Sequence, residues 1–359
     1  MTVSPVESYN EWDQLEEVIV GAIDGAAVPD WNEPAVRATM PRRHAKFFER
    51  NAGRPFPEEF VNLARQELDA FASLLTELGV TVVRPSAADH GRPFTTPNWR
   101  SRGGLYSAMP RDSLLVVGET IIEAPMAWRS RYFEVDAYRD LLIGYFSRGA
   151  KWISAPRPRL LDASYDDNFD PETPCESGRY VTREHEPTFD AADFIRCGRD
   201  IFAQRSHVTN MLGIDWVART IGSEYTVHVI EVNDSAPMHI DASFMPLAPG
   251  KLLLNPKRVK TIPKIFDSWD VRFAPAPTVP DDHVLYMSSA WISMNIFMVN
   301  EKQVVAESHE EPLIELLDDW GFEVLPIDFR NTMRFGGSFH CVTCDLRRSG
   351  ELRSYFGAD

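Results

Sequence analysis

Short apolar runs alternate along the chain with segments whose apolar residues recur at helical spacing. SLLVVG (Ser113–Gly118) and TIIEAP (Thr120–Pro125) predict two strands turning at Gly118-Glu119. EVDAYRDLLIGYFSRG (Glu134–Gly149) predicts a helix, and KWISAP (Lys151–Pro156) a further strand. The unit is strand–strand–helix–strand.

The order recurs. ADFIRCGRDIFAQ (Ala192–Gln204) reads as a hairpin around Gly198, NMLGIDWVARTIG (Asn210–Gly222) as a helix and YTVHVIEV (Tyr225–Val232) as a strand. ASFMPLAPGKLLLNP (Ala242–Pro256) reads as a hairpin turning at Pro249-Gly250, followed by a short helical stretch from Val259 and a strand near Val271. WISMNIFMVNEKQVVAE (Trp291–Glu307) is expected as a hairpin at Asn300-Glu301, completed by the helix EEPLIELLDDWG (Glu310–Gly321) and the strand FEVLPI (Phe322–Ile327). The termini supply a fifth copy if they meet. SFHCVTCDLRR (Ser338–Arg348) and LEEVIVG (Leu15–Gly21) are its strands, Pro57–Gly79 its helix and VTVVRP (Val80–Pro85) its last strand. That helix carries Phe60, Leu63, Ala64, Leu68, Phe71, Leu75 and Leu78 on one face. The pattern predicts an α/β fold, a pseudo-fivefold α/β propeller in one domain over residues 1–359, closed by the N- and C-terminal strands. An open doubly wound sheet is the rival, disfavoured because hairpins rather than single strands alternate with the helices.

Composition narrows the function classes. With 44% hydrophobic and 25% charged residues the chain has ample core material, so disorder is excluded as its main state. Its formal charge of −16, without a basic block, argues against nucleic-acid binding. Four cysteines (Cys175, Cys197, Cys341, Cys344) are too few to staple 359 residues and point to free thiols in a reducing compartment. The N-terminus shows neither a signal nor a transit peptide, and apolar stretches such as Trp291–Val299 fall far short of the ~20 residues of a membrane span. A soluble cytoplasmic protein is expected. DASYDDNFDPETPCESG (Asp162–Gly178) reads as a long surface loop.

Several residues invite chemistry, each with a plain structural alternative. Cys341 and Cys344 form C-x-x-C in an expected strand, which suits neither a redox turn nor a zinc half-site, since Cys175 and Cys197 supply no second pair. A lone nucleophilic thiol after Gly336-Gly337 competes with a buried structural cysteine. His239 and Asp241, two apart, share a face of an expected strand, as an acid/base pair or as ordinary surface residues. Asp190 and Asp193 precede a hairpin, and Asp112 opens a strand, either as turn chemistry or as orienting groups. If strand ends point to the ring centre, Asp112, Asp190 and Asp241 would suit a cation, and the planar guanidinium rewards several carboxylates.

With these residues in place, the sequence resembles the arginine-dependent amidinotransferases, the family of glycine amidinotransferase within the arginine deiminase superfamily. The likeness runs nearly end to end through NEWDQLEEVIVG (Asn10–Gly21), LYSAMPRD (Leu105–Asp112) and IIEAPMAWRSRYFE (Ile121–Glu134). It continues through EPTFDAADFIRCGRDIFAQRSHVTN (Glu186–Asn210), PMHIDASFMPLAPGK (Pro237–Lys251), MSSAWISMN (Met287–Asn295) and GGSFHCVTCDLRR (Gly336–Arg348). The resemblance implies a fivefold propeller and a catalytic Cys341, with Cys344 a bystander, His239 as acid/base and Asp190 as its partner. It implies Asp112 and Asp241 as holders of the guanidino group, and Arg258, Ser288 and Ser289 at the amino-acid end of substrates. Met238 would shape a flap, and Tyr106 of LYSAMPRD joins the substrate-binding set.

The implied reaction moves the amidino group of L-arginine through an amidino-cysteine to an amine, without cofactor or metal, in a homodimer. Glycine is the favoured acceptor, giving guanidinoacetate and ornithine as in creatine biosynthesis. A larger amine such as lysine or an aminocyclitol is the alternative, then a deiminase producing citrulline, and a non-enzymatic ring-shaped scaffold is the rival outside catalysis. Two departures bear on the acceptor and the fold's edges. Ala236 stands where glycine-using animal members have Asn, and the loop Asp162–Gly178 has no clear counterpart.

Overall fold

A computed structural model describes residues 4–170, 179–234, 236–280, 282–284 and 286–357. The part of the expected surface loop at 171–178, with Cys175, lies outside the described residues. Five three-stranded sheets repeat one order: an antiparallel pair, then a strand added parallel to its second member. Sheet I joins the termini, with Gln14–Val20 antiparallel to Thr343–Ser349 and parallel to Thr81–Val83. Sheet II is Leu114–Val117, Thr120–Glu123 and Lys151–Ser154; sheet III is Phe194–Cys197, Asp200–Gln204 and Thr226–Ile230. Sheet IV is Phe244–Ala248, Lys251–Leu254 and Asp270–Phe273; sheet V is Phe297–Met298, Gln303–Glu307 and Glu323–Ile327. The parallel strand needs a crossover, which helices Glu58–Glu77, Arg139–Ser147, Met211–Ile221 and Glu311–Asp319 supply in sheets I, II, III and V.

Two expected elements away from the catalytic candidates differ. The helical stretch from Val259 is reduced to a 3-10 turn at Lys264–Phe266, so sheet IV crosses over through irregular chain. The first half of the hairpin expected at Trp291–Glu307 is mostly a 3-10 turn, Ala290–Met294, leaving the two-residue strand Phe297–Met298.

Helix Glu58–Glu77 shows how sequence sets the packing. Glu58 and Glu59 face the partial positive charge of its first turn, and Gly79, at φ +85°, lets the chain leave in the left-handed region. Its buried face presents Val61, Ala64, Leu68, Phe71 and Leu75. Phe71 meets Phe297, Phe329 and Phe339 edge-on, and burying each such side chain contributes ~1.5–3 kcal/mol. Glu67 on the same face accepts from Asn331 and Thr332, pinning the following turn.

A polar core ties the sheets together. Arg196 of sheet III donates to Glu11 and to Asp345 of sheet I (2.7 and 2.6 Å), and Arg111, just before sheet II, donates to Asp345 (2.8 Å). Arg348 adds bonds to Asp345 and to Met298 O of sheet V. Burial alone would raise Asp345, but the Arg111, Arg348 and Arg196 cations outweigh it and hold the carboxyl well below its usual range.

The first strand of every sheet is entered through a tight turn. Pro110–Ser113 precedes sheet II, Ala191–Asp193 sheet III, Ile240–Ala242 sheet IV and Ala290–Met294 sheet V, while residues 338–342 precede Thr343 of sheet I. The four named turns pack in that order, each on the next, and Pro110–Ser113 also packs on Thr343–Ser349. Among the described residues no helix is long and apolar enough to cross a membrane.

Candidate active site

All of these turns except Ala191–Asp193 line a cavity of about 330 Å³ that holds Cys341, His239, Asp112 and Asp241. Cys341 lies in the turn before Thr343–Ser349 rather than in the expected strand, and its N–H donates to Asn295 Oδ1 (3.0 Å). Gly337 leaves no room beside it: a Cβ there would sit 2.3 Å from Met109 Sδ and 2.8 Å from Cys341 Cβ. Cys344 is in the strand, its thiol near Leu114 O (3.7 Å) and outside the cavity lining. Cys197, Cys341 and Cys344 are buried free thiols.

His239 and Asp241 also depart from the strand expected for them. His239 stands at φ +63°, a conformation costly for a non-glycine residue, and leads into the turn Ile240–Ala242. Both side chains nonetheless reach the cavity. His239 Nε2 is 3.0 Å from Asp190 Oδ2, and Nδ1 is 3.5 Å from Asp112 Oδ1. Cys341 Sγ donates to Asp241 Oδ2 (3.4 Å), which also pairs with His340 Nδ1 (2.8 Å). Asp193 lies behind His239, accepting from Ser206 and Thr209.

The electrostatics follow from burial and neighbours. Burial, then the Asp241 and Asp112 carboxylates, push the Cys341 thiol well above its ordinary value. Burial disfavours an imidazolium at His239, but Asp112, the Asp190 hydrogen bond and charge, and Asp193 outweigh it and raise it to about 10. His239 is therefore the site's proton donor at neutral pH. Burial raises Asp112 against the pull of His239 and Arg131, whereas bonding to His340 holds Asp241 low despite its burial. Asp112 Oδ1 and Asp241 Oδ1 are buried and accept no hydrogen bond among the described residues, although each such oxygen costs ~1–3 kcal/mol. Carboxylates in this state fit a cationic N–H donor. Donor atoms of Asp112, His239 and Cys341 lie within 4.8 Å of one another, a spacing an ion can bridge.

The remaining residues singled out in the sequence line the same cavity. Arg258 pairs with Asp234 (2.9 Å) and reaches Ser289 Oγ (3.4 Å), while Ser288 Oγ is buried without a hydrogen-bond partner among the described residues. Met238 is half-buried in the wall beside Ala236, and Tyr106 commits its hydroxyl to Phe335 O (2.7 Å). Sequence reasoning missed four participants: Arg131, Asn295, His340 and the rim segment containing helix Pro34–Thr39, which brings Arg37, Arg42 and Arg43 to the opening. The first three stood within quoted motifs, but nothing in residue type separates Arg131 from the neighbouring Arg129. Nothing periodic marked the rim.

No family model matches the chain. It is 54% identical over 352 residues to the L-arginine:L-lysine amidinotransferase of Pseudomonas savastanoi pv. phaseolicola, covering 98% of this chain and 97% of that one. It is 46% identical over 360 residues to the mitochondrial glycine amidinotransferase of Xenopus tropicalis, covering 98% and 85%. Among solved structures, an amidinotransferase of the saxitoxin biosynthetic pathway from Microseira wollei superposes with a TM-score of 0.91 at 49% identity, over 98% of this chain and 100% of that one. DDAH from Pseudomonas aeruginosa, at 13% identity with a TM-score of 0.57 over 92% and 98%, shares the fold alone. The α/β architecture of repeated sheets is shared with both solved structures, and the chain belongs to the amidinotransferase family.

Proposed function

We propose that the chain transfers the amidino group of L-arginine, through a covalent amidino-Cys341, to a primary amine larger than glycine, with lysine the leading acceptor. The five modules close as a propeller, four of them lending a turn to the cavity wall and the fifth backing His239 through Asp190. The carrying observation is the pair of unbonded carboxylate oxygens, Asp112 Oδ1 and Asp241 Oδ1, beside a buried thiol and a histidine flanked by Asp112 and Asp190.

A guanidinium entering between Asp112 and Asp241 brings a positive charge beside Cys341 and relieves what holds its proton. Sγ attacks the central carbon, and the bond from that carbon to arginine Nε breaks. The departing nitrogen takes the thiol's proton and His239's, so ornithine leaves as an ammonium and His239 is left neutral. The incoming ammonium then gives one proton to His239 and one to the departing thiolate as its nitrogen takes the amidino carbon. Charge is conserved in both halves.

Reach decides the acceptor. Arg258 with Ser289, and the rim arginines above, suit a carboxylate several bonds from the reacting nitrogen, as in ornithine and lysine. Glycine's carboxylate would lie near the floor, against Asp112 and Asp241, where like charges repel. Ala236 offers no polar side chain to offset this. The 54% identity to an arginine:lysine enzyme supports the same reading. Arginine supplied with lysine, glycine, 4-aminobutyrate or an aminocyclitol, with products weighed, tests it. The expected result is an amidinated lysine, with glycine slower. Dominant guanidinoacetate overturns the acceptor, and dominant citrulline overturns transfer.

A further inference from the structure

Behind the reacting groups lies a cation that the chemistry above does not use. Arg131 is 1% exposed, and its guanidinium makes three carboxylate contacts. Nη2 donates to Asp112 Oδ2 (2.9 Å), Nε to Glu134 Oε2 (2.9 Å), and Nη2 also to Glu134 Oε1. Nη1 stands 3.6 Å from Asp190 Oδ2, buried and without a hydrogen-bond partner among the described residues. Its Cζ lies 5.9 Å from the ring centroids of both Tyr106 and Trp128. Asp112 and Asp190 are the two carboxylates that flank His239. Arg131 therefore touches both arms of the acid/base system while Glu134, across the sequence turn, grips it from behind.

We propose that Arg131 is the positioning residue of the site, a fixed positive charge that sets Asp112 against the substrate's guanidino group and balances Asp112 and Asp190 on either side of His239. The inference rests on the amidinotransferase reading. A fork is required rather than a point charge, since one face must bond Glu134 and another Asp112 at once. Without the cation, Asp112, Asp190 and Glu134 would be like charges in a dry site, held only by His239.

The groups facing Arg131 are the carboxylates of Asp112, Glu134 and Asp190, the phenols of Tyr106 and Tyr138, and the imidazoles of His90 and His239. Of these, Asp112 is the one that both bonds Arg131 and lines the cavity floor. Removing the guanidinium must make Asp112 harder to ionise and so move the acidic limb of kcat/KM for arginine to higher pH.

R131Q and R131K are compared with the wild type in KM for arginine, kcat, the pH dependence of kcat/KM, and Tm. R131Q is expected to raise KM at least tenfold and shift the acidic limb upward. R131K retains charge but not the fork, so its KM rises while its limb stays near the wild-type position. If R131Q does not fold, R131K alone decides through that split between KM and limb. Wild-type KM and limb in the folded variants, whatever their Tm, overturn the inference, as does a fall in kcat with both unchanged. Amidino-Cys341 formation in the wild type is measured alongside. Its absence would sink the transferase reading itself, whereas its presence with unaffected Arg131 variants would sink this inference alone.

Discussion

Replacing Asp190 with asparagine tests the acid/base assignment at its most exposed point. The change is isosteric, so the 3.0 Å contact to His239 Nε2 can persist while the charge is lost. Raising an imidazole from 6.5 to about 10 corresponds to about 5 kcal/mol in favour of its protonated form, from Asp112 first and then Asp190. An opposite charge at this range accounts for about 1.4–4 kcal/mol of such a preference. In D190N the imidazolium therefore loses its proton at lower pH. Amidino-Cys341 formation needs that proton for ornithine to leave, so the alkaline limb of its rate, near pH 10 in the wild type, should move toward neutrality. Stability follows the same sign. A histidine raised on folding contributes fully below 6.5 and loses that contribution as pH rises through about 10, so D190N should be most destabilised at low pH. Quench-flow trapping of the adduct between pH 6 and 10.5, with thermal melts at both ends, reads both. A limb that stays put, or a stability deficit that grows with pH, would refute the reasoning.

Three further outcomes are expected. In G337A the new Cβ meets Met109 Sδ at 2.3 Å and Cys341 Cβ at 2.8 Å, so the thiol must move and adduct formation should slow by about 100-fold; an unchanged rate in single-turnover trapping would show that this close fit does not position Cys341. C344A should cost about 1 kcal/mol in a denaturant melt, through a small cavity, and leave the mass adduct on Cys341 intact; loss of the adduct would count against Cys344 as a bystander. Burial raises Glu33 to about 7 despite its bonds from Ser130, so folding binds its proton more tightly and stability falls by about 3 kcal/mol as pH climbs from 4.5 through 7. E33Q should flatten the part of the Tm-against-pH slope that Glu33 supplies, and an identical slope in the variant would sink that account.

The repeat was legible because its turns announce themselves. Gly118, Gly198 and Gly250 all adopt positive φ at the hairpin tips, and the strands between them are short apolar runs with few other uses. The site was harder, because its residues lie in the turns that enter the sheets rather than in the periodic segments. His-x-Asp fits period two, so His239 and Asp241 read as one strand face, yet the chain turns at His239 and reaches the cavity by another route. Likewise WISMN looks like strand, but Ala290–Met294 winds into a 3-10 turn that sets Asn295 beneath the Cys341 N–H. Family resemblance pointed to Cys341 and His239, which line the cavity, and to Asp190, which lies 3.0 Å from His239. Arg131 was invisible because only burial distinguishes it from Arg129, whose side chain bonds Leu160 O and Asp162 near the surface.

The division between repeated and unrepeated chain explains how one reaction can serve different amines. Floor residues come from the turns that enter the sheets, and these are locked together through His340, Glu11 and the buried Arg196–Asp345 pair. A change there disturbs several modules at once, because removing one partner of a buried ion network strands the others. The rim is built differently. Helix Pro34–Thr39 and the chain to Arg43 lie outside the five sheets, and Arg42 pairs with Asp170 at 3.6 Å between half-exposed side chains. Exposed pairs of this kind contribute ~0–1 kcal/mol. Ala35, Val36 and Ala38 of that helix are buried in the core, so it is the arginine side chains of the rim, not its backbone, that can change without opening a cavity. If the chain acts as proposed, the floor that would hold arginine is tied into several modules at once, whereas the rim arginines that would meet the acceptor's distant end are not part of that network.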